Sequence, residues 1–388
     1  MSTATFKMTA KTLFGLEQVL ADELHGLGAG DIVPGHCAVA FTGDNATMYR
    51  ANLWCRTATR IVKPIRTFNV RSSDDLYHRV AGLNWSTYLG PDSTFAVDAL
   101  AAHSRVTNSL YAAQKTKDAI VDQIRQRTGR RPSVSTTDPD LRINLHLMND
   151  RATLSLDSSG GPLHRRGYRL ESGSAPLNEV LAAGIIGLTG WDRKASFVDP
   201  MCGSGTIVIE AALAARSIAP GLLREKFGFM RFPDFDAALW KSLRAEARTR
   251  IEPPGSVLLS GSDIDPAAIE ISRANAARAG VADSVSFSVA AFDKAVPLPA
   301  PGMLVTNPPY DQRQQSDDMS GLYRSFGDSL KRQFSGYRAF VLTGYPDAAK
   351  VLGLRTKSRT RLYNPPLECR LLEYELYQGS RKRTADQP

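Results

Sequence analysis

Asn307-Pro308-Pro309-Tyr310 closes an apolar run, Met303 to Thr306, and its residue types suit one chemical task. Two successive prolines hold the backbone extended, remove two N–H donors and leave carbonyls available. The Asn307 side-chain oxygen and a proline carbonyl can then accept both protons of one planar amino group. Tyr310 offers a face on which a base can stack, worth about 1–3 kcal/mol. Hydrogen bonds that turn the nitrogen toward an electrophile recover the lone pair otherwise delocalised into the ring, which is what alkylation of an exocyclic amine requires. The chain carries its own control, because Asn364-Pro365-Pro366 recurs ahead of Leu367. That copy lies between strand-like segments, Arg359 to Tyr363 and Cys369 to Tyr377, and reads as a hairpin turn. The tripeptide alone is therefore turn chemistry, and position with the trailing aromatic sets the first copy apart.

Three acidic elements precede it. Asp199-Pro200-Met201-Cys202-Gly203-Ser204-Gly205-Thr206 has glycines that permit a tight turn and a close ligand approach, with a following helix that aims N–H groups at the ligand. It lacks the GxGxxG spacing and a GK[ST] ending, so a di- or triphosphate is not its ligand; Asp199 would instead attract a cationic amine. Asp263-Ile264-Asp265 follows a second apolar run, where a carboxylate can bind two ribose hydroxyls, and Asp265 suits the cap of a helix starting at Pro266. Phe292-Asp293 follows a third, with a carboxylate able to accept from an adenine amino group and a ring able to pack on the base. Taken singly, each acid fits a helix cap or a solvated loop equally well.

The elements that must hold these groups read as two architectures. From Ala175 on, strands alternate with Gly loops and helices: Ser196 to Asp199, helix Thr206 to Ala215, Ser256 to Ser262, helix Ala267 to Ala279, then strands Val285 to Val289, Met303 to Thr306 and Arg338 to Thr343. This predicts an α/β, Rossmann-like domain with a mostly parallel sheet and ligands beyond the carboxyl ends of its strands. The aromatics of the insert Ser217 to Pro254, among them Phe227, Phe229, Phe232, Phe235 and Trp240, read as a satellite packing cluster. The front part shows an amphipathic helix at Leu13 to Leu27, a strand at Ala38 to Thr42, a helix at Asn45 to Arg60 and a strand at Ile61 to Phe68, which suit an α+β ferredoxin-like unit. A second unit follows, with a strand at Thr94 to Ala99, a helix at Ser109 to Arg127 and strands Leu141 to Met148 and Arg151 to Asp157. The expected division is 1–60, 61–157, a linker 158–173, a catalytic domain 174–378 and a flexible tail 379–388.

The 388 residues carry a formal net charge of +9. Residues 1–169 hold 21 Lys+Arg against 15 Asp+Glu, so +6 of that charge lies in the front part. Two clusters stand out, Arg125, Arg127, Arg130 and Arg131, and Arg165 with Arg166, so an anionic partner is expected. No apolar stretch reaches the roughly 20 residues of a membrane span, no secretory signal is recognised, and a cytosolic protein is expected. The spacing of the four cysteines and six histidines matches no paired-ligand pattern, so neither a disulfide framework nor a metal site is expected. A pyrimidine-C5 mechanism would need a Cys at the catalytic strand end, whereas Cys202 sits in the Gly loop.

In order and spacing, the elements of 175–378 resemble the class I S-adenosylmethionine-dependent methyltransferases of the amino-methylating NPPY branch. The resemblance implies that DPMCGSGT holds the methionine part of S-adenosyl-L-methionine, Asp263 and Ile264 the ribose side, Phe292 and Asp293 the adenine, and Asn307 to Tyr310 the target amine. That family commonly has Lys where Asn178 stands, so no role is assigned there. Ser73-Asp-Asp-Leu-Tyr77, Trp85, Asn108-Ser109, Lys115-Thr-Lys117 and Asp140-Leu-Arg-Ile143 resemble the THUMP RNA-binding domain. With LHRRGYR and Ala219-Pro-Gly-Leu, the chain is similar to the N-terminal half of bacterial bifunctional methyltransferases acting on guanine N2 of 23S ribosomal RNA. The second methyltransferase of those proteins is expected to be missing. The implied partner is RNA, 23S ribosomal RNA or a large-subunit assembly intermediate, with Lys115, Lys117 and the arginines above as contacts. Adenine N6, cytosine N4, a glutamine amide and a transfer RNA guanine remain open as acceptors.

Overall fold

The computed structural model describes residues 4–169, 177–255, 257–309 and 316–377, without the side chains of 316–318. Its contacts divide the chain into two compact units: Met1–Thr12 with Glu17–His164 and Pro220–Thr249, and Leu13–Leu16 with Arg165–Ala219 and Arg250–Pro388. Pro220–Thr249, which the expected boundaries count within 174–378, makes its contacts in the first unit. Its aromatics explain the difference: Phe229 stacks on Tyr49 at 4.4 Å, Trp240 meets Phe229 edge-on at 5.0 Å, and the Asp236 N–H donates to Tyr49 Oη at 3.0 Å. Such ring pairs add about 0.5–1.5 kcal/mol each beyond their burial. The cluster is packing, as its composition suggests, but it completes the first unit.

That first unit is built on one eight-stranded sheet. Its strands are β1 (Phe6–Lys11), β2 (Gly30–Gly35), β3 (Ala38–Gly43), β4 (Arg60–Asn69), β5 (Thr94–Ala102), β6 (Ser133–Val134), β7 (Leu141–Met148) and β8 (Arg151–Asp157), in the order β2-β3-β1-β4-β8-β7-β5-β6. The two small units expected from sequence thus share a sheet, because β4 is long enough to pair with β1 at one end and with β8 along most of its length. Helix Ser109–Thr128 buries Ala112, Ala119, Ile120 and Ile124. Asn108 caps its start, accepting from the Tyr111 N–H at 3.0 Å, and Gly129 at φ +74 ends it.

The second unit has a seven-stranded sheet of β9 (Ser196–Asp199), β10 (Leu259–Asp263), β11 (Ser286–Val289), β12 (Gly302–Thr306), β13 (Tyr337–Thr343), β14 (Ser358–Asn364) and β15 (Leu367–Glu375). The order is β11-β10-β9-β12-β13-β15-β14, parallel except where β15 runs against β13 and β14. Strand order reverses beside β9, so the loops after β9 and β12 leave a crevice at that switch point. Both strands are wholly buried, and their short continuous apolar runs are what a sheet covered on two faces demands. The second Asn-Pro-Pro forms the turn between β14 and β15. No helix among the described residues is long and apolar enough to cross a membrane.

Candidate active site

Asp199 ends β9 with 1% of its surface accessible. Thr306 Oγ1, from the end of β12, donates to its Oδ1 at 2.7 Å, and the Met201 N–H approaches at 3.3 Å. Burial pushes the carboxyl up to about 7; these hydrogen bonds act against the shift, and the charge of Asp263 adds to it. The loop that follows turns through Gly203 at φ +52 and Gly205 at φ +78, and Gly205 stands at the start of helix Thr206–Ala215. A Cβ on Gly205 would lie 3.1 Å from Ser272, so both space and backbone require glycine there.

The loop is braced by the next strand and helix. The Gly203 N–H donates to Asp263 Oδ2 at 2.8 Å, and the Asp265 N–H donates to Asp263 Oδ1 at 3.0 Å. Each carboxylate oxygen retains a lone pair for a ligand hydroxyl. Asp265 caps helix Pro266–Arg278 through the Ala267 N–H at 2.9 Å. Two residues unremarked in the sequence complete the bracing: Ser272 Oγ donates to the Gly203 carbonyl at 2.7 Å and Asn275 Nδ2 to the Ser204 carbonyl at 3.1 Å. Both are fully buried, and the signal available was a polar pair three apart on the inward face of that helix. Cys202 is buried, and its thiol is raised well above its ordinary range by desolvation and then by Asp199 and Asp263, so it is no nucleophile.

The third element joins the second through the Ala290 N–H, which donates to the Asp263 carbonyl at 2.9 Å. Phe292 is half-buried, edge-on to Phe326 at 5.4 Å, while Asp293 is exposed. Ile264 is 72% exposed, an apolar face adjoining Asp263 in the chain. At the fourth element Pro308 is buried, Pro309 exposed and Asn307 half-buried, with the Asn307 Oδ1 buried and without a hydrogen-bond partner among the described residues. An orphaned buried acceptor costs about 1–3 kcal/mol, which a donor from a ligand would recover. The expectation of free proline carbonyls needs one correction: Tyr323 Oη donates to the Pro309 carbonyl at 3.4 Å. Tyr310 lies outside the described residues.

The basic residues are placed less simply. Arg166 is not presented to an RNA partner: it is 2% exposed and ion-paired with Glu210 at 3.5 Å. Tyr168 Oη donates to the same carboxylate at 3.1 Å, and Arg169 donates to Thr206 Oγ1 at 2.6 Å and the Leu177 carbonyl at 2.8 Å. This correction has a plain cause, since Glu210 is a lone acid in the apolar helix TIVIEAALAA and burying it requires a counter-ion. Asn178 caps helix Glu179–Thr189. In the first unit Lys115 pairs with Asp74 at 3.2 Å, Lys117 with Asp118 at 3.0 Å and Arg125 with Asp122 at 3.2 Å. Arg130 pairs with Asp92 and Arg127 bonds Asn84; Arg131 is exposed, as is Arg165 in the second unit. Glu17, His36 and Cys37 bring ligand-type atoms within 4.8 Å of one another, an arrangement that a search for repeated-spacing patterns passes over.

Comparison with known proteins agrees with this geometry. Residues 166–373 match the RMKL-like methyltransferase domain, 70–157 the THUMP domain and 7–62 the RlmL ferredoxin-like domain. The chain is 42% identical over 96% of its length to the ribosomal RNA large subunit methyltransferase K/L of Syntrophotalea carbinolica, of which it covers 54%. It thus spans about half the length of the K/L relatives it matches, 50% for that of Methylococcus capsulatus. The Synechocystis protein slr0064, assigned as an RNA methyltransferase, is 39% identical over 97% of this chain and 99% of its own. The crystal structure of SMU.472, assigned as a methyltransferase and complexed with SAH, superposes with a TM-score of 0.86 at 32% identity, covering 98% of this chain and all of that one. The chain belongs to the RMKL-like methyltransferase family.

Proposed function

We propose that the protein transfers a methyl group from S-adenosyl-L-methionine to the exocyclic N2 amine of a guanosine in 23S ribosomal RNA, free or within a large-subunit assembly intermediate. The observation that carries this reading is the orphaned Asn307 Oδ1, one residue beyond Thr306, whose hydroxyl is bonded to Asp199 at the head of the Gly loop. An unsatisfied acceptor for an amine and a carboxylate suited to a cation are thereby tied to one strand end. SMU.472, at 32% identity, is complexed with SAH, which supports the cofactor class. The residues fit it: Asp199 through Thr206 would hold the methionine part, Asp263 and Ile264 the ribose side, and Phe292 and Asp293 the adenine. Bound there, the cofactor supplies an electrophilic methyl on a sulfonium.

The chain's own contribution is alignment. Asn307 Oδ1 and, because Tyr323 engages Pro309, the Pro308 carbonyl accept the two amine protons and direct the nitrogen lone pair. Tyr310 is assigned the stacking face for the base, which must leave its helix to reach the site. Such positioning supplies about 7–11 kcal/mol of a bimolecular barrier. No covalent enzyme intermediate is required, in keeping with the inert Cys202 thiol. The THUMP match and the K/L relatives support RNA as the acceptor.

The test is transfer of tritiated methyl to deproteinised 23S RNA and to bulk transfer RNA, with nuclease mapping of the product. Label as N2-methylguanosine in 23S RNA is expected. Label confined to transfer RNA would overturn the substrate, and label on adenine or cytosine would overturn the base.

A further inference from the structure

In the first unit Arg125 and Arg130 of the cluster that the sequence singles out are paired with acids, which leaves room for a phosphate contact elsewhere. At the end of β4 and the turn after it, Arg66, Thr67, Phe68, Asn69, Arg71 and Arg79 line a cavity of about 330 Å³. We propose that this cavity is a binding site for a single-stranded RNA segment, taking one backbone phosphate on its arginines and the adjoining base on Phe68. The proposal rests on RNA being the substrate.

Charge is the first argument. Arg66, Arg71 and Arg79 are all exposed, and neither the Arg66 nor the Arg71 side chain enters an ion pair among the described residues. Two of the lining arginines are bonded to Asp75, which accepts from Arg79 Nε at 3.1 Å and from the Arg71 backbone N–H at 2.9 Å. Three guanidinium groups against one carboxylate leave a local +2. Arg151, exposed and directly opposite Asn69 on β8, adds to it. By contrast, Lys115, Lys117, Arg125 and Arg130 each have an acidic partner of their own.

Shape is the second. The cavity lies within the size range of nucleotide-scale sites, roughly 300–1,000 Å³. Guanidinium forks match phosphate oxygens two at a time, and their planar donors are less strongly hydrated than an ammonium. Phe68 is half-buried, and Asn69, exposed, offers both a donor and an acceptor to a base edge. An aromatic beside an arginine cluster suits an unstacked base, not the closed A-form helix whose bases are already paired. The floor is fixed: the Thr67 and Thr153 hydroxyls bond at 3.2 Å, the Val70 N–H donates to the Asp150 carbonyl at 2.7 Å, and Ser72 caps helix Ser73–Ala81 through the Asp75 N–H at 3.1 Å. The arginines thus stand on a backbone tied by these hydrogen bonds, an arrangement that lowers the entropy lost on binding.

The experiment replaces Arg66 and Arg71 with Gln in the full chain and measures binding of a fluorescent single-stranded RNA oligonucleotide across a salt series. Each lost phosphate contact should flatten the slope of log K against log salt by about 0.7, so for the one phosphate held here a slope shallower by about 0.7 is expected. Affinity at 0.1 M salt should fall on the order of tenfold, while titration with S-adenosylhomocysteine stays unchanged. Phe68→Leu should weaken binding several-fold with the slope kept, and Arg125→Gln with Arg130→Gln should alter the slope less than the Arg66 and Arg71 pair. An Arg66→Gln/Arg71→Gln variant that equals the unaltered protein in affinity and slope overturns the site alone. If the unaltered protein binds no RNA, the RNA reading falls and the site falls with it.

Discussion

Replacing Asp199 with Asn should yield a protein that is more stable and inactive. The carboxyl is 1% accessible and titrates near 7, against 3.8 for an ordinary aspartate. A group whose folded pKa is raised contributes its stability below the unfolded value, and that contribution is lost as the pH rises through the folded one. Between those limits the difference of about three units corresponds to about 4 kcal/mol at 1.36 kcal/mol per unit. Asparagine is always neutral, has the same size, and keeps an oxygen to accept from Thr306. We expect Asp199→Asn to match the parent only below about pH 4, to exceed it by about 1–2 kcal/mol near pH 5, and to exceed it by about 2–4 kcal/mol at pH 8. In thermal melts of the ligand-free protein, this is a rise of roughly 5–10 °C for a unit of this size. Isothermal titration over the same range should show wild-type affinity for S-adenosylmethionine rising through pH 7 as the carboxylate forms, and no measurable affinity in the variant. Parallel stability curves for the two proteins from pH 5 to 8 would refute the argument, because the ionised carboxylate would then carry no burial cost.

Other outcomes follow from the same geometry. Asn307→Ala should retain cofactor binding and lose transfer by about 100-fold or more, as removal of a single aligned polar group at a reaction centre does, measured by single-turnover methylation. Asp263→Ala should weaken the cofactor by about 10–100-fold in titration, since it removes two ligand acceptors and frees the Gly203 N–H it holds. Arg166→Leu should cost about 3–5 kcal/mol of stability in denaturant melts by stranding Glu210, yet leave the salt slope of RNA binding unchanged. Cys202→Ala should keep activity, and the native thiol should resist alkylation until the protein is unfolded.

Much of the second unit was legible because β9 and β12 are short apolar runs ended by Asp199 and Asn307, and both ends carry chemistry that side-chain type alone discloses. The same reading could not see Ser272 and Asn275, whose role depends on which helix face meets the loop. It also misplaced Arg166, because a charge in a run looks solvated until the lone Glu210 within an apolar helix is given a partner. β1 and β2 escaped notice since Phe6–Lys11 is half polar and Gly30–Gly35 carries Gly and Pro, so their strand character comes from pairing with β3, not from propensity. The sharing of one sheet by the two front units rests on β4 pairing with β8, a contact between segments far apart in the chain that no local pattern announces.

The return of Pro220–Thr249 to the first unit bears on how this protein is made. A nascent chain that has released residue 164 from the ribosome still lacks the rings that stack on Tyr49, and these arrive only after residues 165–249 have been synthesised. At about 5–20 residues per second that interval is roughly 4–17 s. Until then an aromatic surface destined for the interior stays uncovered, so vectorial folding cannot finish the amino-terminal unit before Arg165–Ala219 of the carboxyl-terminal one has been made.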